Sequence, residues 1–265
     1  MNRTLLPAYT LWRREIVRFL RQRNRVFSAV MQPAIFWVLF GAGFGDSFSV
    51  GEGEASQDFL GYLFPGTVVL ILLFTAIFST ISVINDRKEG FLQSVLAAPI
   101  SRAGIVLGKV AGGATLAFVQ GMVFLCLAPL AGIELSVGSV LASAGLIALM
   151  SFALTALGMI VAWPMDSTQG FHAIMMLFLM PMWLLSGAFF PIEGAPTWLF
   201  WVTRANPLSY GVAAFRDVLV GPAAASVSGH GMPSTGVSVL VTIAFAVVTF
   251  VVALVIVQRR GSGVK

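Results

Sequence analysis

From Phe59 to Ile84 the chain runs for 26 residues without one acidic, basic or histidine side chain. As a helix that run is about 39 Å long, more than the ~30 Å of a bilayer's hydrocarbon core. Asp86, Arg87, Lys88 and Glu89 follow almost at once. Charges of this kind cost about 2.5–3.5 kcal/mol each at bilayer depth. A stretch long enough to cross a membrane, closed by residues that resist entering one, fixes a boundary from which the rest can be read.

Further apolar runs lie on both sides of it. Spans are expected at about 26–44, 59–84, 110–131, 137–163, 170–190 and 236–257, the first interrupted by Gln32 and Pro33. Only 10% of residues are charged, against about 25% in soluble domains, and mean hydropathy is +0.92. The predicted class is an all-α, multi-pass membrane protein: residues 1–25 at the interface, one transmembrane domain over 26–260, and a tail at 261–265. The net charge of +5 does not point to nucleic acid, because the basic residues gather beside spans. Cys126 stands alone in an apolar run, so there is no disulfide framework. The first 25 residues hold seven arginines and no long apolar core, unlike a cleavable signal.

The segment Asn85–Lys109 is the most informative. After Gly90, the residues Phe91, Leu92, Val95, Leu96 and Ala98 make one apolar helical face, with Gln93 and Ser94 opposite. Pro99 ends that helix and Ser101 can cap the next. The pattern suits a short helix lying across the end of a bundle, and equally a solvated amphipathic loop. Near the amino terminus, Arg14, Arg18, Arg21 and Arg25 form a stripe, with Leu11, Trp12, Ile16, Phe19 and Leu20 opposite. This favours an interfacial helix with its arginines towards anionic lipid; the alternative is a basic orientation signal without defined structure. Gly108 and Gly112 open the third span with small-xxx-small spacing, which favours close helix packing.

Orientation follows from the basic residues. With the amino terminus inside, 14 of the 16 Lys and Arg fall on one side, and the outer loops hold seven of the eleven acids. Both termini are then cytoplasmic. The segment 186–217 is apolar but broken by Pro191, Gly194, Pro196 and Pro207. It suggests two short re-entrant or interfacial helices, at about 195–203 and 207–218, over a central pathway; an ordinary outer loop with aromatic anchors also fits. His172, near Asp166, is a helix-end histidine with a catalytic or relay role as the sharper option. The methionines of the fifth span suit packing or a pliable substrate surface. No phosphate-binding G-x-x-x-x-G-K-[ST] loop, H-E-x-x-H or G-x-S-x-G occurs.

Two motifs carry a family resemblance. One is the Asp86–Gly90 charge cluster, then Ala98-Pro99-Ile100-Ser101-Arg102 and Gly108-Lys109. The other is Ser186-Gly187-Ala188-Phe189-Phe190-Pro191, Pro196, Trp198-Leu199, Asn206-Pro207-Leu208, Tyr210 and Arg216. Together with the six-span layout they resemble the membrane subunit of type-2 ABC transporters, in the exporter branch of drug-resistance and nodulation-factor permeases. Ala98 departs from the family's frequent threonine. The resemblance implies the type-2 ABC exporter fold and a non-catalytic permease of the cytoplasmic membrane. It implies an elbow helix with Trp12, Arg14, Arg18 and Arg21. Lys88, Glu89, Phe91, Leu92, Val95 and Leu96 would meet the ATPase through a coupling helix. An extracellular gate would comprise Phe189, Phe190, Pro191, Pro196, Trp198, Asn206, Pro207 and Tyr210. It further implies a homodimer with two separate ATPase subunits, which bind the ATP and magnesium, while this chain holds no cofactor or metal. Substrates would be amphipathic or hydrophobic, of drug, lipid or glycan class. The remaining alternatives are an ABC-linked sensor or scaffold and an intramembrane enzyme built on His172 and Asp166.

Overall fold

The computed structural model describes residues 4–44, 49–50, 57–189, 196–221 and 232–260. In chain order they form α1 (Leu5–Arg21), α2 (Arg23–Phe44), a two-residue antiparallel pairing of β1 (Ser49–Val50) with β2 (Gln57–Asp58), α3 (Phe59–Lys88), α4 (Phe91–Ala97), α5 (Arg102–Leu125), α6 (Val137–Ala162), α7 (Thr168–Trp183), α8 (Thr197–Ala205), α9 (Pro207–Val220) and α10 (Thr235–Arg260). The expected tail and most of the loop over 45–58 lie outside the described residues.

The charge-free run is the axis of this bundle. Of the most apolar stretch of α3, 94% is buried, and α2, α5, α6 and α7 pack around it. A helix apolar all round must be buried in protein or lipid, and for α3 the other helices provide nearly all of that cover. The outer helices are half covered: α10 exposes Leu240, Val247 and Val251, and α7 exposes Leu177 and Phe178. Exposed apolar surface on this scale suits a lipid solvent. Among the described residues five helices are long and apolar enough to cross a membrane: α3, α5, α6, α10 and α7 with its continuation to Ala188. The apolar part of α2 is shorter, Val30–Gly41, around the internal Pro33.

One boundary differs in a way that matters. Helix α5 starts at Arg102, well before the expected span start at Val110, with the Ser101 hydroxyl accepting the Gly104 amide at 3.1 Å. Lys109 therefore sits two turns inside a helix and is buried. The glycine spacing on α5 also has its partner. A carbon added at Gly108 would lie 2.6 Å from the Ala8 carbonyl oxygen, and one at Gly112 2.7 Å from Cβ of Glu15. The bare backbone of α5 is thus the bed on which α1 rests.

The two ends of the bundle differ. At the α4 end, charged side chains join the helices. At the opposite end α7 gives way to a π turn, Leu184–Ala188, with Gly187 at φ 75°. There, aromatic rings pack the start of α3: Trp37 lies edge-on to Phe64 and Phe124 at 5.5 and 5.6 Å, and Phe189 edge-on to Phe40 at 5.1 Å.

Replacing Gly108 by valine should lift α1 from α5 at a cost of about 1–3 kcal/mol, leaving α5 inserted. In isolated membranes, trypsin should then cut faster at the exposed Arg13 and Arg21. Gly145→Val, where the added carbon meets nothing within 4 Å, should cut at the unaltered rate.

Candidate functional site

Asp86 lies on the last turn of α3 and is 0% exposed. Its carboxylate accepts a two-pronged pair of bonds from Arg14, both 2.8 Å, and a third from Arg18 at 2.6 Å. The ammonium of Lys109 reaches Asp86 from α5 and also Glu15 on α1, and lies 3.4 Å from the Ser82 hydroxyl. The second prong of Arg18 meets the exposed Glu89 at 3.3 Å. Three cations thus face three carboxylates, and the group is neutral as a whole. The hydrogen bonds to Asp86 hold the Arg14 guanidinium above its already high ordinary pKa.

This arrangement corrects the orientation expected for α1. Its buried face is Ala8, Leu11, Glu15 and Phe19. Arg14 and Arg18 flank that face and turn into the protein rather than towards lipid headgroups. The outward surface carries Leu5, Tyr9, Val17 and Leu20 together with Arg13 and Arg21. Trp12 donates to Thr115 at 3.1 Å, and Arg21 is exposed. The physical reason is Asp86: a buried carboxylate needs cations more than exposed arginines need lipid.

The α4 helix needs a second correction. Its apolar face turns inward. Leu92 is 2% exposed within the main core, Leu96 packs against that core, and the Arg14 guanidinium lies 3.7 Å over the Phe91 ring. Val95 lines a shallow cleft of about 280 Å³ with Phe91, Leu6, Pro7 and Leu11. The side of this segment turned away from the bundle carries Lys88, Glu89, Gln93, Ser94 and Ala97, all exposed. The sharp entry into α4 is made at Gly90, φ 76°.

Arg87, one residue on from Asp86, points to a different neighbour. It donates to the carbonyls of Trp163 and Met165, the latter at 2.9 Å, and to the Asp166 carboxylate at 3.2 Å. The turn between α6 and α7 is thereby tied to the end of α3. Asp166 is thus engaged by Arg87, and the His172 ring rests against Phe78 at 5.7 Å. The structure does not bring His172 and Asp166 together as an acid–base pair.

At the far end, Phe190 and Pro191 lie outside the described residues. Phe189 joins the aromatic cluster with Trp183 and Phe59. Pro196 precedes α8, on which Trp198 is 64% and Trp201 61% exposed. Asn206 caps α9, taking the Leu208 amide at 3.0 Å, while its side-chain nitrogen donates to the Met182 carbonyl at 2.6 Å. Pro207 is the first residue of α9, and Tyr210 donates to the Arg204 carbonyl at 2.8 Å.

A comparison with known families matches residues 8–220 to the ABC-2 type transporter family. The chain belongs to that family. Among its relatives, Nodulation protein J of Sinorhizobium fredii is 30% identical over 84% of this chain and 82% of its own length. The putative transport permease ycf38 of Cyanophora paradoxa is 26% identical, covering 78% and 72%. The daunorubicin resistance ABC transporter permease protein DrrB1 of Streptomyces coeruleorubidus is 22% identical, covering 80% and 74%. The family match spans both ends of the bundle, from the α1 arginines to the end of α9.

Within this ABC-2 chain, sequence reasoning treated Asp86 as a boundary charge and passed over Glu15 and Lys109 as site residues. A signal was present. Thr75, Ser79, Ser82 and Asp86 recur at helical spacing along an otherwise apolar α3, and all are buried. They meet α5 in register: Thr75 bonds Gln120, Ser79 abuts Gly113, and Ser82 and Asp86 meet Lys109.

Asp86→Asn should destabilise the protein by about 3–5 kcal/mol, because it strands buried cations. Glu89→Gln, at a carboxylate 58% exposed, should cost no more than about 1 kcal/mol. Thermal unfolding in detergent compares the two.

Proposed function

We propose that this chain is the membrane-spanning permease subunit of an ABC exporter, crossing the cytoplasmic membrane six times with both termini inside. Two copies would work with two copies of a separate ATPase, which hold ATP and magnesium; this chain would bind no cofactor of its own. Family membership supports the transport role, and the gathering of Lys and Arg at the α4 end supports the orientation.

The observation that carries the mechanism is the fusion of α4 with the bundle through Arg14, Asp86 and Leu92. A push on the exposed strip of α4 cannot be absorbed by α4 alone. It passes through Phe91 and Arg14 to α1, and through Leu92 to the core around α3. Arg87 carries it to the turn between α6 and α7. ATP binding in the partner would favour one of two bundle states by differing contact with this strip.

For the substrate, an apolar cavity of about 180 Å³ opens between α2, α3 and α7, lined by Phe36, Trp37, Phe40, Met180, Trp183 and Phe189 among others. A wall of that chemistry supports a hydrophobic or amphipathic cargo, of drug, lipid or glycan class. The exposed apolar residues of α2 and α7 beside it, such as Leu39 and Phe178, suit a second copy across the path.

The reading is tested with the chain co-expressed with its ATPase, by ATP-driven uptake of a panel of hydrophobic dyes and lipids into inside-out vesicles. Glu89→Lys and Ser94→Glu should abolish uptake at unchanged membrane abundance. Leu92→Asp should instead remove the folded protein, since it buries a charge in the core. Full uptake with normally stimulated ATP hydrolysis in the first two variants would overturn the proposal.

A further inference from the structure

Arg216, on α9, is a buried cation that no carboxylate pairs among the described residues. It is 5% exposed. One guanidinium nitrogen donates to the Gly187 carbonyl at 3.1 Å and approaches the Tyr62 carbonyl at 3.4 Å. The guanidinium lies 4.3 Å over the Tyr62 ring, and its Nε is buried with no partner. The neighbouring Asp217 is engaged elsewhere, accepting from Thr235 at 2.6 Å.

The shared acceptor explains the placement. Gly187, at φ 75°, is where the path of α7 breaks, and a break frees carbonyls at a depth where water is scarce. The Gly187 carbonyl is taken twice, by Arg216 and by the Tyr62 hydroxyl at 3.1 Å. Met182, just before the break, is held by Asn206. Gly66 lets α3 approach the break, since an added carbon there would lie 2.9 Å from the Ala188 carbonyl carbon. Three elements, α3, α7 and α9, therefore meet at one carbonyl.

We propose that Arg216 and Tyr62 form a latch on the Gly187 carbonyl that holds the α8 end of the bundle shut, and that opening this end requires the carbonyl to be given up. A latch made of a cation on a carbonyl suits a switch. It is weaker than an ion pair to a carboxylate, and released carbonyls can be taken by water as the mouth wets. Arg216 is on this view a positioning residue, acting through the backbone of α7. The proposal borrows from the transport reading only the idea that this end opens, so its test uses neither substrate nor ATPase.

The full-length chain carries Cys126→Ser and Ala188→Cys, and maleimide labelling is followed in detergent, where membrane sidedness does not enter. Ala188 is fully buried beside the latch. Arg216→Met should raise the labelling rate about tenfold and Tyr62→Phe about threefold, as expected for losing a charged and a neutral hydrogen bond. A parallel set carries Ala156→Cys, at a buried position of α6, and should label at an unchanged rate. Equal acceleration at both positions would mean general loosening and would overturn the latch, as would unchanged labelling at position 188. Should Arg216→Met fail to fold, Tyr62→Phe with Arg216→Lys decides the question by the same criteria. Loss of transport with an intact latch would count against the transport reading alone.

Discussion

A carboxylate with no solvent exposure, at the end of the most buried helix in the bundle, is the constraint from which the rest follows. Asp86 cannot stay charged there without cations, and desolvation makes a lone buried charge far costlier than an exposed one. Two separate stretches of chain supply the answer: Arg14 and Arg18 from α1, and Lys109 from α5. Glu15 then balances Lys109 from the other side. An apolar plug would hold these helices together as firmly. What the charges add is direction, because a guanidinium gripping a carboxylate with two parallel bonds tolerates little rotation. The glycines of α5 complete the fit by letting α1 settle deep enough for its arginines to reach.

Adjacent residues on α3 divide the work of joining the bundle. Asp86 looks towards α1 and α5, while Arg87 looks towards the turn between α6 and α7. Arg102 adds the end of α10, donating to the Gln258 carbonyl at 2.7 Å. Nearly every helix that reaches this end is therefore fastened to its neighbours by charged or charge-assisted bonds. Such an end moves as a plate or not at all, which suits a surface that receives force from another protein.

Much of this was legible in the sequence. The apolar runs placed the long helices, the charge block at 86–89 marked an end of α3, and proline with serine at 99–101 separated α4 from α5. The glycine spacing announced a close contact, though not its partner. What escaped was the facing of side chains. The amphipathic pattern of α4 is the same whether its apolar face meets its own bundle or another protein, and burial of Leu92 shows that its own bundle took it. The stripe of arginines on α1 reads as lipid-directed until Asp86 is known to be buried. The reach of α5 back to Arg102 hid Lys109 among loop charges, since a charge next to a span looks like a boundary. The polar seam of Thr75, Ser79, Ser82 and Asp86 is the pattern that reveals which way that boundary faces.

The opposite end is built on a different bond, and the contrast has a mechanical meaning. Its aromatic rings pack edge-on, and the buried cation Arg216 rests on the carbonyls of Gly187 and Tyr62. Ion pairs resist sliding at the α4 end, whereas at the α8 end the acceptor that Arg216 would release is an uncharged carbonyl. A lever needs both: a stiff arm where force enters, and a joint with two comparably satisfied arrangements where it leaves. Gly187 would supply the joint on the proposed reading, because it alone in the turn adopts a conformation that residues with a side chain rarely take. On the proposed transport reading, the charged cluster at Asp86 and the broken turn at Gly187 are the two ends of one lever, joined by the length of α3.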